Sequence, residues 1–157
     1  MKKNILLFGG NPIFFVQNNE LPKEKELIFL RKTKFIKSDS KTDPKLSKES
    51  HILKHKQLKN IKKILLNNFN DYWNNVLEIN NKFYICNSWS TLQKKGEFHP
   101  CHLHANHIFS AVYYAKVEKT SLIFHLERSK LNDNFHFRYD LIKDNVFNSY
   151  SWRVEVN

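Results

Sequence analysis

The chain has 157 residues and a formal net charge of +11, with 41% hydrophobic and 14% aromatic residues, which fits a folded domain and excludes a disordered chain. Three glycines leave no glycine-rich phosphate loop, and two cysteines are too few for a disulfide framework. No apolar run is long enough for a bilayer or an export signal, so we expect a cytoplasmic protein without a membrane partner.

Two short apolar segments near the N-terminus, residues 5–8 and 13–16, predict strands. They are separated by the turn-forming sequence Gly9-Gly10-Asn11-Pro12. Residues 19–36 fit a helix or a strand equally well. The polar composition of residues 37–49 predicts a surface loop.

Residues 58–77 predict the clearest helix of the chain. Apolar side chains recur there every three or four residues, which is the period of one helical face. These positions are Leu58, Ile61, Leu65, Phe69, Tyr72 and Val76. Ser47 and Ser50 are the candidate caps before the helix. We expect the apolar face to pack on a sheet.

From residue 82 onward the pattern changes to that of strands. The predicted strands are residues 83–85 with Trp89, 108–117, 121–126, 135–141 and 152–156, with a turn at residues 94–97. An amphipathic helix before several short strands predicts a mainly β, α+β fold with helices, a helix-buttressed sandwich or jelly roll. We expect one domain over residues 1–157, with residues 1–80 as the N-terminal strands and helix and 82–157 as the later strands.

Four of the eight histidines lie within residues 99–107, in the sequence His-Pro-Cys-His-Leu-His-Ala-Asn-His. Histidine is the commonest metal ligand in proteins. In an extended segment His102 and His104 project to the same side, where they could hold a metal together. A solvated, histidine-rich turn is the alternative. Cys101 makes a mixed Cys/His zinc site conceivable, but the second ligand pair of such a site is missing.

The positive charge is concentrated in residues 1–70, which contain sixteen Lys or Arg and only six Asp or Glu. One interpretation is a nucleic-acid-binding face, because basic side chains attract phosphate backbones. The candidate side chains lie on and before the predicted helix: Lys54, Lys56, Lys59, Lys62 and Lys63. The alternative, which we favour, is codon composition, since an AT-rich genome also encodes much Lys, Asn and Ile.

Four short motifs follow one another in a recognisable order: Ser88-Trp89, Lys95-Gly96-Glu97-Phe98, His102-Leu103-His104-Ala105-Asn106 and Ser110-Ala111-Val112-Tyr113-Tyr114. This order resembles the 2-oxoglutarate/Fe(II)-dependent oxygenases frequent in marine phages and bacteria. The resemblance covers nearly the whole chain and implies a double-stranded β-helix, a cupin-like jelly roll, that binds Fe(II) and 2-oxoglutarate. It implies His102 and His104 as metal ligands, and Tyr114 and Asn106 as 2-oxoglutarate contacts.

The sequence departs from the family in several places. His104 stands where many non-haem iron oxygenases have a carboxylate. Ala105 and Ala111 replace a proline and a glycine. Relatives continue with a distal histidine ligand and an arginine for 2-oxoglutarate, whereas this sequence ends at Asn157. We therefore expect a domain that is incomplete at its C-terminus and inactive on its own.

The third metal ligand is left open by these departures. His125 and His136 are the remaining candidates, although each also fits an ordinary strand or surface histidine.

Three functions follow from these observations. The first is an iron- and 2-oxoglutarate-dependent oxygenase, a hydroxylase of a small-molecule or macromolecular substrate that the sequence does not specify. The second is a non-catalytic, cupin-like metal- or ligand-binding protein. The third is a basic nucleic-acid-associated protein.

Overall fold

The computed structural model describes residues 2–8, 11–36, 42–102, 104, 109–125 and 151–156. The chain divides into two units, residues 18–115 on the one hand and residues 1–17 with 116–157 on the other. Within the described ranges the fold is mixed α/β, with three small antiparallel sheets and no closed barrel. Whether residues 1–157 form one domain stays a prediction.

Short strands and two helices make up the described structure. The strands are β1 (Lys2–Phe8), β2 (Asn11–Gln17), β3 (Phe35–Ile36), β4 (Lys45–Ser47), β5 (Thr91–Leu92), β6 (Thr120–His125) and β7 (Ser151–Val156). The helices are α1 (Glu24–Lys32) and α2 (Lys59–Asp71), with 3-10 turns Ile52–Lys54 and Lys56–Leu58 before α2 and a π-helical turn Tyr72–Val76 after it. Among these described helices, none has the apolar length that crossing a membrane requires.

The unit formed by both ends of the chain contains two antiparallel strand pairs. Strands β1 and β2 form a hairpin in which Ile5 lies opposite Phe14. Strands β6 and β7 pair with Leu122 opposite Val154. The strands predicted at 5–8, 13–16, 121–126 and 152–156 are therefore confirmed over their described residues. The strand predicted at 135–141 lies outside the described residues.

The other unit contains the three-stranded sheet β3-β4-β5, with Phe35 opposite Ser47 and Leu46 opposite Thr91. Part of the predicted loop 37–49 is thus a strand, and the prediction is wrong for residues 45–47. The Ser47 hydroxyl accepts the N–H of Ser90 at 3.1 Å and donates to the Glu49 carbonyl at 2.8 Å. These two hydrogen bonds satisfy the buried hydroxyl of Ser47. Composition alone does not reveal that this polar residue lies in a strand.

The core of this unit is a cluster formed by Ile52, Leu58 and Ile61. Side chains that pack against it come from α1, the 3-10 turns, α2 and the later chain: Phe29, Leu30, Leu53, Leu65 and Tyr113. The helix predicted at 58–77 is confirmed as α2 and its π turn. The expected packing of its face on a sheet is not what this cluster shows, because its partners are α1, the 3-10 turns and Tyr113.

The N-terminus of α2 is capped by a residue of α1. Leu58 occupies the cap position of α2 and provides no side-chain hydrogen bond, so Ser47 and Ser50 are wrong as predicted caps. The Glu26 carboxylate, 0% exposed, instead accepts the backbone N–H of Ile61 at 2.9 Å. Its second oxygen accepts the N–H of Lys23 at 2.9 Å. A negative charge there also complements the positive end of the α2 dipole.

The end of α2 widens into the π turn, in which the Leu77 N–H donates to the Tyr72 carbonyl at 3.0 Å. Tyr72 and Trp73 are adjacent in sequence and both buried. They belong to a cluster of five aromatic rings: Phe69, Tyr72, Trp73, Phe83 and Phe109. The Trp73 Nε1–H donates to the Asn81 carbonyl at 2.8 Å.

This aromatic cluster explains why two predicted strands are wrong. Residues 83–85 and the described residues 109–117 are irregular. Phe83 lies 4.3 Å and Phe109 lies 5.8 Å from Phe69, measured between ring centroids. One aromatic residue of each segment thus packs on a helix end, and the sequence pattern cannot distinguish that packing from a half-buried strand.

Candidate metal-binding site

The histidine-rich segment brings three imidazole rings together. The ring centroids of His102 and His104 are 4.8 Å apart with the planes at 83°, and His99 lies 5.8 Å from His102. The three residues are in irregular chain, not on a strand as the spacing suggested. His107 lies outside the described residues.

A hydrogen bond to the backbone orients the His102 ring. Its Nδ1 lies 2.9 Å from the Pro100 carbonyl oxygen. Because a carbonyl only accepts, Nδ1 carries the proton, and the lone pair of Nε2 is left for a ligand. Metal-bound histidines commonly donate their second ring N–H to a carbonyl or carboxylate in this way. His102 therefore has the tautomer that a metal ligand needs.

Trp89 covers one side of the histidine group. Its ring centroid is 5.4 Å from that of His104, and the residue is 42% exposed. The neighbouring Ser88 is fixed by backbone hydrogen bonds, since it accepts from Ile52 at 2.9 Å and donates to Ser50 at 2.8 Å. Trp89 is thus attached to the segment that contributes Ile52 to the core.

A tight turn leads into the histidines, and the prediction of a turn at residues 94–97 is confirmed. Glu97 donates its N–H to the Lys94 carbonyl at 3.1 Å and accepts the Lys94 N–H on its side chain at 2.7 Å. Gly96 has φ of +86°, a conformation that favours glycine. The next residue, Phe98, donates its N–H to the Thr42 carbonyl at 2.9 Å.

The surroundings of His99 lower the pKa of its imidazole. Partial burial is the main cause that lowers its pKa, and the neighbouring His102 lowers it further, while Asp43 opposes both. Neutral imidazole is the form that binds metals. The surroundings of His99 therefore favour the ligand-competent form.

We expect the pKa of His99 in the metal-free protein to lie below the ordinary histidine value. His102→Gln should raise this pKa, because charge repulsion from the neighbouring imidazole is removed, and Asp43→Asn should lower it. The folded chain binds protons less readily than the unfolded chain, so this residue reduces stability as the pH falls through the ordinary histidine range. NMR titration of the ring protons measures these shifts, and a His99 pKa above the ordinary value would contradict the assignment.

The roles of the other predicted site residues stay predictions. Tyr114 is half-buried, and its burial raises the pKa of its phenol. Asn106 and His136 lie outside the described residues, and only the backbone of His125 is described, within β6. The expectation that a distal histidine and an arginine lie beyond Asn157 stays a prediction.

A complete ligand set is absent from the described part of the chain. There, no group of three or more His, Cys, Asp or Glu side chains is arranged to hold a metal. Cys86 and Cys101 are exposed free thiols. His99 and Trp89 lie beside the predicted ligands but were not among the predicted site residues. The grouping of four histidines within nine residues is the sequence signal that could have indicated His99 as a site residue. The approach of Trp89 to His104 has no such local signal, because it depends on the pairing of Ser88 with a distant segment.

A comparison with known protein families gives a match within this part of the chain. Residues 87–152 match a family model described as "Putative 2OG-Fe(II) oxygenase". No curated protein and no solved structure matches the chain. The matched segment is less than half of the chain and includes the histidine group and Trp89. It supports a 2-oxoglutarate-dependent oxygenase at the level of the family, and this family implies Fe(II) and 2-oxoglutarate.

Proposed function

We propose that the protein is an Fe(II)- and 2-oxoglutarate-dependent oxygenase in which His102 and His104 bind the metal. The observation that carries the proposal is the edge-to-face approach of these two rings inside the segment that matches the family. The proposed architecture is the jelly roll of that family. Residues 1–80 then form the N-terminal strands and helix, and 82–157 contribute the jelly-roll strands.

The side chains of the histidine group fit an iron site as a partial ligand set. Imidazole suits iron, and non-haem oxygenases bind it with three protein ligands, leaving positions for cosubstrate and oxygen. His102 and His104 supply two ligands. We place the third among side chains outside the described ones, with His125 and His136 as candidates. Asn106 and Tyr114 remain the proposed contacts of 2-oxoglutarate.

The metal with its cosubstrate would supply the oxidation of a substrate C–H bond. The chain supplies orientation. The Pro100 carbonyl holds the His102 tautomer, so that Nε2 is available to the metal without a proton transfer at Nδ1. Trp89 limits the rotation of the His104 ring on one side.

We expect His102→Ala and His104→Ala each to weaken anaerobic Fe(II) binding by at least about tenfold, because each removes a ligand. Binding is measured by titration, and Co(II) serves as an oxygen-insensitive spectroscopic probe. Cys86→Ser is the matched control, since it removes an exposed potential ligand outside the three-ring group. Equal Fe(II) affinity in all four proteins would contradict the metal assignment.

Turnover of 2-oxoglutarate separates the proposed oxygenase from a metal-binding protein without catalysis. Fe(II)-dependent decarboxylation of 2-oxoglutarate that is lost in His102→Ala would support the oxygenase and would contradict the expectation that this chain is inactive on its own. Metal binding that depends on both histidines, with no decarboxylation, would favour the cupin-like binding protein.

A further inference from the structure

An open groove on the unit formed by residues 18–115 is lined by none of the residues assigned to the metal. Its volume is about 290 Å³. It is lined by Phe29, Thr33, Lys34, Lys48, Glu49 and His55. The lining therefore combines two aromatic rings with two ammonium groups. The proposed oxygenase site uses none of these side chains.

Backbone pairing forces the two groove lysines close together. Lys34 precedes β3 and Lys48 follows β4, and the Lys48 N–H donates to the Lys34 carbonyl at 2.8 Å. The two residues thus lie opposite each other at the ends of neighbouring strands, where like charges destabilise the strand pairing. Both are exposed. An anion bound between them would remove this repulsion.

The nearby carboxylate is engaged elsewhere. Glu49 Oε2 lies 2.7 Å from His55 Nε2. The ion pair of Arg31 with Glu24 in the same unit involves neither groove lysine. Lys34 and Lys48 therefore have no carboxylate at ion-pair distance among the described residues.

An aromatic wall stands beside these lysines. The ring centroids of Phe29 and His55 are 4.9 Å apart with the planes at 49°. Phe29 also packs against the core cluster, which fixes its position, while the His55 side chain is 37% exposed. A fixed aromatic ring beside cationic side chains is the arrangement on which unstacked nucleobases bind.

Positive charge continues along the chain from the groove. Residues 50–70 contain five lysines and no Asp or Glu. Lys54 and Lys56 flank the groove residue His55 and are exposed. Lys59 and Lys63 are exposed in the first turns of α2, where the helix dipole makes cations unfavourable. Bound phosphates would compensate the like-charge repulsion among these lysines.

We propose that this groove and its flanking lysines bind single-stranded nucleic acid. A base stacks in the groove against Phe29 and His55, and the phosphates on either side contact Lys34 and Lys48. Lys54 and Lys56 extend the track along the strand. Single strands are favoured over duplex because only unstacked bases present a face to an aromatic ring. The proposal does not depend on the oxygenase assignment.

Fluorescence anisotropy of a labelled single-stranded oligonucleotide of about 15 nucleotides tests the proposal with the full chain. We expect Lys34→Gln/Lys48→Gln to weaken binding by about tenfold at low salt and to reduce the slope of log K against log salt by about 1.4, or 0.7 for each lost phosphate contact. The matched control Lys116→Gln/Lys119→Gln removes the same charge from exposed positions in the other unit. It should leave the slope unchanged.

Phe29→Leu tests the stacking step. It should weaken binding of the single strand without changing the salt slope, because no phosphate contact is lost. Thermal unfolding checks that this variant is folded, and His55→Gln removes the second ring while leaving a hydrogen-bond donor for the Glu49 carboxylate. Equal effects of the two lysine pairs would overturn the proposal in favour of attraction by net charge alone. Binding of the duplex or of heparin as tightly as the single strand, or no binding at all, would also overturn it.

Discussion

Replacing Leu58 with alanine should lower the free energy of unfolding by about 2–5 kcal/mol. Leu58 is 1% exposed and lies at the centre of the cluster with Ile52 and Ile61. The truncation removes apolar contacts and leaves a cavity that α1 and α2 cannot close without moving. Urea denaturation followed by circular dichroism measures the change.

Two other leucines provide controls for this prediction. Leu21 is 77% exposed, so Leu21→Ala should change the free energy of unfolding by less than about 0.5 kcal/mol. Leu65 is half-buried at the edge of the same cluster, and Leu65→Ala should have an intermediate effect. An effect of Leu58→Ala no larger than that of Leu21→Ala would show that the cluster is not the core of this unit.

Glu26→Ala should lower the free energy of unfolding by about 2–4 kcal/mol, since two backbone N–H groups lose a charged acceptor in a buried place. The groups are the N–H of Ile61 in α2 and that of Lys23 before α1. Glu26→Gln keeps the shape and one acceptor oxygen, so its effect should be smaller. The same denaturation experiment measures both variants.

A second measurement distinguishes loss of the carboxylate from general loosening of the fold. Burial raises the pKa of Tyr113, and Glu26 raises it further by charge repulsion. Glu26→Gln should therefore lower this pKa only part of the way to its ordinary value, because the burial remains. Ultraviolet titration of the phenol reports it. An unchanged pKa together with unchanged stability would contradict the described role of Glu26.

Two patterns that depend on neighbouring residues predict the structure correctly. The hairpin of β1 and β2 follows from two apolar runs around a turn cluster, and α2 follows from apolar positions that repeat with the helical period. Contacts between distant segments were not predictable in this way. The cap of α2 is Glu26, which lies 35 positions before the Ile61 N–H that it accepts. Phe83 packs against Phe69 near the end of α2.

The same division holds for the candidate site. The short spacing between His102 and His104 is enough to bring their rings together, even though no strand presents them. Their orientation depends on the Pro100 carbonyl, and the cover over His104 depends on Trp89. The third ligand, if it comes from far along the chain, leaves no local signal near the histidines.

The cap supplied by Glu26 has a consequence for the order of folding. The first turns of α2 carry lysines, no acidic side chain and no cap of their own, so the isolated segment is a poor nucleus for a helix. Closing the chain between α1 and α2 must then accompany the growth of α2, because the acceptor for its first turn arrives only with α1. The rate-limiting barrier would contain this long-range closure, and the two helices would gain protection from hydrogen exchange together, as a single cooperative unit.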